Sequence, residues 1–152
     1  MIREIPILLV DDDELDRATV QRAFRKNHLR NELLIAENGE RALEILRSEG
    51  RRLPGLILLD LNMPVMGGLE LLRILKCDDT LRAVPVVVLT SSAMESDKVE
   101  SYDLSVAGYI VKPVDFAKFV DVTRVLDLYW TVCELPDDGR LDARPFARAS
   151  NP

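Results

Sequence analysis

Histidine and cysteine are nearly missing from this chain. One histidine, His28, and two cysteines, Cys77 and Cys133, occur in 152 residues. The cysteines form no Cys-x-x-Cys pair and His28 lies far from both along the chain, which excludes the ligand spacings of a zinc site. Isolated thiols fit a reducing compartment. An excess of basic charge is missing too. Twenty Lys and Arg stand against 26 Asp and Glu, for a net charge of −6. Such a surface repels a phosphate backbone and offers no polybasic handle to an anionic membrane. The longest apolar runs, such as Ile7–Val10 and Val84–Leu89, are far too short to cross a bilayer. The start, Met1-Ile2-Arg3-Glu4-Ile5-Pro6, lacks the apolar segment of a signal peptide. The expectation is a cytoplasmic protein that binds neither nucleic acid nor membrane. No glycine-rich loop follows the first apolar run, which counts against a nucleotide or flavin site.

What the chain does have is an ordinary globular balance, 47% hydrophobic and 30% charged, at the size of one domain with a sizeable core. Five apolar runs stand out: Ile5–Val10, Leu33–Ala36, Leu56–Leu59, Val84–Leu89 and Tyr109–Val111. Several lack polar alternation, as strands buried on both faces do. Between them lie segments of helical spacing: Leu15–His28, Gly39–Ser48, Leu69–Lys76, Met94–Val106 and Asp115–Tyr129. Strand and helix thus alternate five times, the pattern of an α/β parallel sheet doubly wound with helices on both faces. Asn38-Gly39 and Glu49-Gly50 read as turn pairs, and Pro54-Gly55 breaks the chain before the third run. Pro85 is tolerable only at the start of its strand. Residues 1–127 form the domain on this reading, and 128–152 an extension ending in a polar tail too short for a core of its own.

In an open parallel sheet the ligand site lies beyond the carboxyl ends of the strands. The first run is followed by Asp11-Asp12-Asp13, the third by Asp60, the fourth by Thr90-Ser91 and the fifth by Lys112-Pro113. Alone, the acidic triplet reads as a solvated loop, Lys112 as a surface lysine and Thr90 as a strand end. Together they place acid, acid, hydroxyl and amine at one edge. Crowded carboxylates raise one another's pKa, and a hard divalent cation such as Mg²⁺ relieves the crowding through oxygen ligands. A carboxylate can attack phosphorus, and a metal, an ammonium and a hydroxyl around the transferring group lower its barrier.

Four blocks carry a resemblance. Leu8-Leu9-Val10-Asp11-Asp12, Asp60-Leu61-Asn62-Met63-Pro64, Val88-Leu89-Thr90-Ser91 and Tyr109-Ile110-Val111-Lys112-Pro113 look like the signature blocks of response-regulator receiver domains, in order and spacing from about Ile5 to Leu126. The resemblance implies a (βα)5 flavodoxin-like receiver fold with sheet order 2-1-3-4-5. It implies that Asp60 accepts a phosphoryl group from a sensor histidine kinase. Mg²⁺ would be held by Asp12, Asp60 and the backbone carbonyl of Asn62, with Asp11 acting mainly through water. Thr90 and Lys112 would contact the phosphoryl group, and Thr90 with Tyr109 would form the switch pair. The chain would catalyse its own phosphorylation and dephosphorylation without being a separate enzyme. Two departures stand out. Gly67 replaces the aspartate that many members carry before Gly68, and Asp13 adds a third acid. Strand alternation would point Asp12 at the pocket and Asp13 outward.

A narrower likeness rests on Ser101-Tyr102-Asp103-Leu104, Lys112-Pro113-Val114-Asp115 and Tyr129-Trp130-Thr131-Val132, which are similar to the small response regulators paired with phytochrome-type kinases. These consist of a receiver plus a short extension without an output domain. Phe119, Val122, Leu126, Tyr129 and Trp130 exceed what one helix needs to cover a sheet face, so the last helix and Thr131–Leu135 are expected to form a homodimer. A chain ending at Asp127 should then sediment as a monomer, and an unchanged dimer mass would remove the expectation. Two other functions compete. An aspartate-nucleophile phosphatase needs an acid two residues after the nucleophile, where this chain has Asn62. A phosphorylation-independent receiver-fold binding module has no use for the complete acid set.

Overall fold

The computed structural model describes residues 5–26, 31–63, 65–90, 104–112 and 121. Its elements run β1 (Ile7–Val10), α1 (Glu14–Lys26), β2 (Leu33–Ala36), α2 (Gly39–Leu46), β3 (Leu56–Asp60), α3 (Gly68–Cys77), β4 (Val86–Thr90) and β5 (Gly108–Val111). Most of the expected Met94–Val106 and Asp115–Tyr129 helices, His28, Cys133 and the extension 128–152 lie outside the described residues.

The five strands form one parallel sheet in the order β2-β1-β3-β4-β5, as the four motif blocks imply. Period-2 alternation splits each apolar strand between two cores. Ile7, Leu9, Leu56, Leu58, Val87 and Leu89 face Val20, Ala23 and Phe24 of α1. Leu8, Val10, Ile57, Leu59, Val86 and Val88 face the other way, onto Ala42, Leu43 and Leu46 of α2 and Leu71, Leu72 and Leu75 of α3. Both faces of β1, β3 and β4 are therefore buried, which is why these runs show no polar alternation. Each such Leu, Ile or Val contributes about 1.5–3 kcal/mol by leaving water.

Strand starts differ from the apolar runs at prolines. β1 begins at Ile7 rather than Ile5, and β4 at Val86 rather than Val84. Pro6 and Pro85 have no N–H for the ladder. Each still accepts a bond through its carbonyl, Pro6 from Gly55 N at 2.9 Å and Pro85 from Ile57 N at 2.9 Å.

Helix starts follow capping chemistry. Asp13 Oδ1 accepts from Leu15 N at 2.8 Å and Asp16 N at 3.3 Å, capping α1. Glu14 and Asp16 occupy the first turn of α1 and Arg25 and Lys26 its last, the charge order a helix dipole favours. Asn38, expected only as half of a turn pair, caps α2 by accepting from Arg41 N at 2.8 Å. Gly67 caps α3 without a side-chain bond, a loss of only tenths of a kcal/mol relative to an acid.

Candidate functional site

Register sets the site. Val10 pairs with Leu59, Asp60 with Leu89, and Thr90 with Val111. Asp60 and Thr90 thus end their strands, while Asp11 and Lys112 come one residue after theirs, at the same edge of the sheet. Asp11, Asp60 and Thr90 are buried. Lys112 N donates to Thr90 O at 2.7 Å, which ties the end of β5 to β4.

The Lys112 ammonium donates to three carboxylates: Asp16 Oδ2 at 2.6 Å, Asp60 Oδ2 at 3.1 Å and Asp11 Oδ2 at 3.2 Å. An ammonium has three N–H groups, so all are engaged. Burial works against its charge, but the bonds to Asp16 and Asp60 and the charges of Asp11 and Asp60 outweigh that and raise its pKa above the usual lysine value. Asp60 Oδ1 accepts from Asn62 N at 3.0 Å. Asp11 Oδ1 accepts from Asp13 N at 2.9 Å, and Arg17 Nη1 donates to the Asp11 carbonyl at 2.9 Å.

One ammonium does not neutralise this set. Burial first, and the neighbouring Asp60 charge after it, push the Asp11 carboxyl up to about 7 from 3.8, against the opposing Asp13 N–H bond and Lys112. The folded chain therefore holds this proton more tightly than the unfolded chain. Its contribution to stability is complete below the unfolded value and disappears as pH rises through the folded one. In chelator, the urea midpoint of the wild-type chain should fall between pH 4 and 7 more steeply than that of Asp11→Asn. The upper bound on the loss is about 4 kcal/mol, at about 1.4 kcal/mol per pH unit. Parallel pH profiles would show that Asp11 titrates normally.

The sequence-derived site residues take unequal places. Asp11, expected to act at a distance through water, is fully buried and touches Lys112, whereas Asp12 is exposed. Exposed as it is, Asp12 still brings a carboxylate oxygen within 4.8 Å of those of Asp11 and Asp60, although β1 itself ends at Val10. Asp13 is exposed, as expected, but because it caps. Asn62 is exposed and leads out of β3. Thr90 Oγ1 is buried without a hydrogen-bond partner among the described residues. Tyr109 pairs in register with Val88 and packs on the core of the Val88 face, the face to which Thr90 also points.

Three residues escaped sequence reasoning. Asp16 makes the shortest contact to Lys112, and its signal was its place one helical turn from the acids on a helix starting at the pocket. Gly68 carries no Cβ because one would sit 2.2 Å from Asp60 O and 2.6 Å from Leu61 Cα. Met66 adopts φ 46° and lies over Gly39, where a Cβ would meet its Cγ at 2.7 Å. Neither close approach has a local sequence signal.

Carboxylate oxygens of Asp11, Asp12 and Asp60 lie within 4.8 Å of one another, two of these residues buried and one exposed. Three hard oxygen donors, an unneutralised charge and an open side fit a divalent cation that keeps some of its waters.

This geometry, a buried strand-end carboxylate beside paired acids, a lysine and a hydroxyl, meets a matching family. Residues 7–124 match the response regulator receiver domain. The chain belongs to that family, the receiver domains of two-component signalling. Its relatives include the response regulator Rcp1 of Synechocystis sp., 35% identical over 128 residues that cover 82% of this chain and 87% of Rcp1. The bacteriophytochrome response regulator RtBRR matches in structure with a TM-score of 0.75 at 40% identity, over 90% of this chain and 86% of that one. The phosphorylated cyanobacterial phytochrome response regulator RcpA gives 0.70 at 35%, over 88% and 99%. A structure of Rcp1 is of its Mn²⁺-bound form, and the Asp11, Asp12 and Asp60 cluster matches the divalent-metal binding of receiver domains. Among the described residues no helix is long and apolar enough to cross a membrane.

Proposed function

We propose that Asp60 accepts the phosphoryl group, from the phosphohistidine of a sensor kinase of the phytochrome type, with Mg²⁺ held by Asp12, Asp60 and the Asn62 carbonyl. The observation that carries this reading is Asp60 itself. It is a buried carboxylate at a strand end, hydrogen-bonded to Lys112 and within reach of two further acids.

One oxygen of Asp60 attacks phosphorus, the bond from phosphorus to the histidine nitrogen breaks, and the kinase's ring, protonated on its other nitrogen, leaves as neutral imidazole. Lys112 is placed to meet a phosphoryl oxygen as charge spreads over the group. A divalent cation held by Asp12, Asp60 and the Asn62 carbonyl would supply further charge neutralisation. The Thr90 hydroxyl ends β4 at the same edge, without a partner among the described residues, and would bond the phosphoryl group. Thr90 and Tyr109 on one sheet face give the modification a path to the surface, because phosphorylation biases two states only through contacts that differ between them. On this reading residues 1–127 are the receiver. The extension 128–152 and the last helix join two copies in the cytoplasm, supported by the apolar residues Phe119, Val122, Leu126, Tyr129 and Trp130.

The test is intact mass after incubation with acetyl phosphate. One phosphoryl group should appear with Mg²⁺ and not with chelator. A chain that gains none under either condition would favour the competing reading, a binding module that uses the fold without the chemistry.

A further inference from the structure

We infer that Asp16 is a positioning residue for phosphoryl transfer: it holds the Lys112 ammonium at the pocket while the other two anions around that ammonium change partners. The inference rests on the assignment of Asp60 as acceptor.

Lys112 follows the final residue of β5. Its side chain is long and rich in rotamers, so its charge must be fixed by what it meets. It meets Asp11, Asp16 and Asp60. Two of these belong to the cluster placed to share a cation, Asp11 and Asp60, and Asp60 also loses its charge when a phosphoryl group is attached. Asp16 belongs to neither event. It stands outside the cation cluster and makes the shortest of the three contacts, 2.6 Å.

Asp16 is itself held firmly. It sits in the first turn of α1, whose start is fixed by the Asp13 cap, by Arg17 N on Asp13 O at 3.0 Å and by Arg17 Nη1 on Asp11 O at 2.9 Å. Its grip is also compatible with transfer, since the same Nζ reaches Asp60 Oδ2 at 3.1 Å without leaving Asp16. The helix therefore presents a carboxylate that aims the lysine and touches neither metal nor phosphorus.

The experiment compares four full-length chains: wild type, Asp16→Ala, Lys112→Ala and the double variant. Each is read as the initial rate of labelling by acetyl phosphate at saturating Mg²⁺. Where Lys112→Ala is too slow to time, the readout is the beryllium fluoride concentration that gives half-saturation. Asp16→Ala should be slower, or bind more weakly, by about tenfold, less than the roughly hundredfold that a 1 Å misplacement can cost, and the double variant should equal Lys112→Ala. Asp16→Glu should restore part of the loss, whereas a change in the α1 start alone would not respond to the carboxylate. The side chain is 27% exposed, so its removal opens no core cavity. A wild-type rate for Asp16→Ala, or a loss carried undiminished onto Lys112→Ala, would overturn the inference. A wild-type chain that takes no label would instead overturn the assignment of Asp60.

Discussion

The chain carrying Asp60→Asn is expected to fold normally and to take up no phosphoryl group from acetyl phosphate in the presence of Mg²⁺. The carboxamide keeps an oxygen for the Asn62 N–H that Asp60 Oδ1 now accepts at 3.0 Å, so the turn out of β3 stays in place. It lacks the anionic oxygen that attacks phosphorus. It also removes one of the charges that push the Asp11 carboxyl up. The chelated variant should therefore denature at a higher urea midpoint than the wild type near neutral pH. Intact mass and a urea titration read the two effects separately. A label of unchanged stoichiometry on the variant would move the acceptor away from Asp60, and an unfolded variant would show that the charge at this position holds the edge together.

Gly68→Ala should be among the most damaging single-methyl changes in the chain. A Cβ at this position would lie 2.2 Å from Asp60 O, 2.6 Å from Leu61 Cα and 2.9 Å from Asp60 C. All three are backbone atoms, and none can swing aside as a side-chain tip would. The amide of Gly68 also donates to Leu61 O at 3.2 Å, so moving α3 outward breaks a bond as well as a packing contact. Overpacking in a dense core costs about 1–3 kcal/mol, and this clash belongs at the upper end. The displaced atoms include the main chain of Asp60, so labelling should slow in the fraction that folds. Gly67→Ala is the control, because a Cβ there would meet Leu61 O and Met63 O only at 3.8 Å. Equal midpoints for the two variants would show that α3 does not rest on β3 in solution.

Strands buried on both faces announced themselves as unbroken apolar runs, and that legibility followed from the two cores flanking β1, β3 and β4. What the runs could not show was where hydrogen bonding begins, since Pro6 and Pro85 extend the apolar stretch while lacking a ladder donor. The acids, the hydroxyl and the lysine were legible because each stands at a strand end in a parallel sheet, where topology alone brings them together. Their ranking was not. Asp11 and Asp12 are identical side chains in adjacent positions, and only the folded chain shows that the first is buried and the second exposed. Asp16 was hidden for a related reason. An acid in the first turn of a helix is ordinary dipole chemistry, and only the three-dimensional placement of Lys112 gives it a second partner. Gly39 and Met66 meet through a contact between α2 and the turn after β3, and Met66 at positive φ would be read from sequence as an unremarkable apolar residue.

The Thr90 hydroxyl is buried and without a partner among the described residues, so on the proposed reading a phosphoryl oxygen on Asp60 would give it one. A buried donor left unmet costs about 1–3 kcal/mol. A chemical event that meets it need not bring a strong new attraction, because relieving the deficit already favours the form that does so. At that scale a single hydroxyl moves a two-state ratio by roughly fivefold to 150-fold. On the proposed reading the end of β4 would then act as a catch that phosphoryl attachment closes, with one hydroxyl supplying the bias.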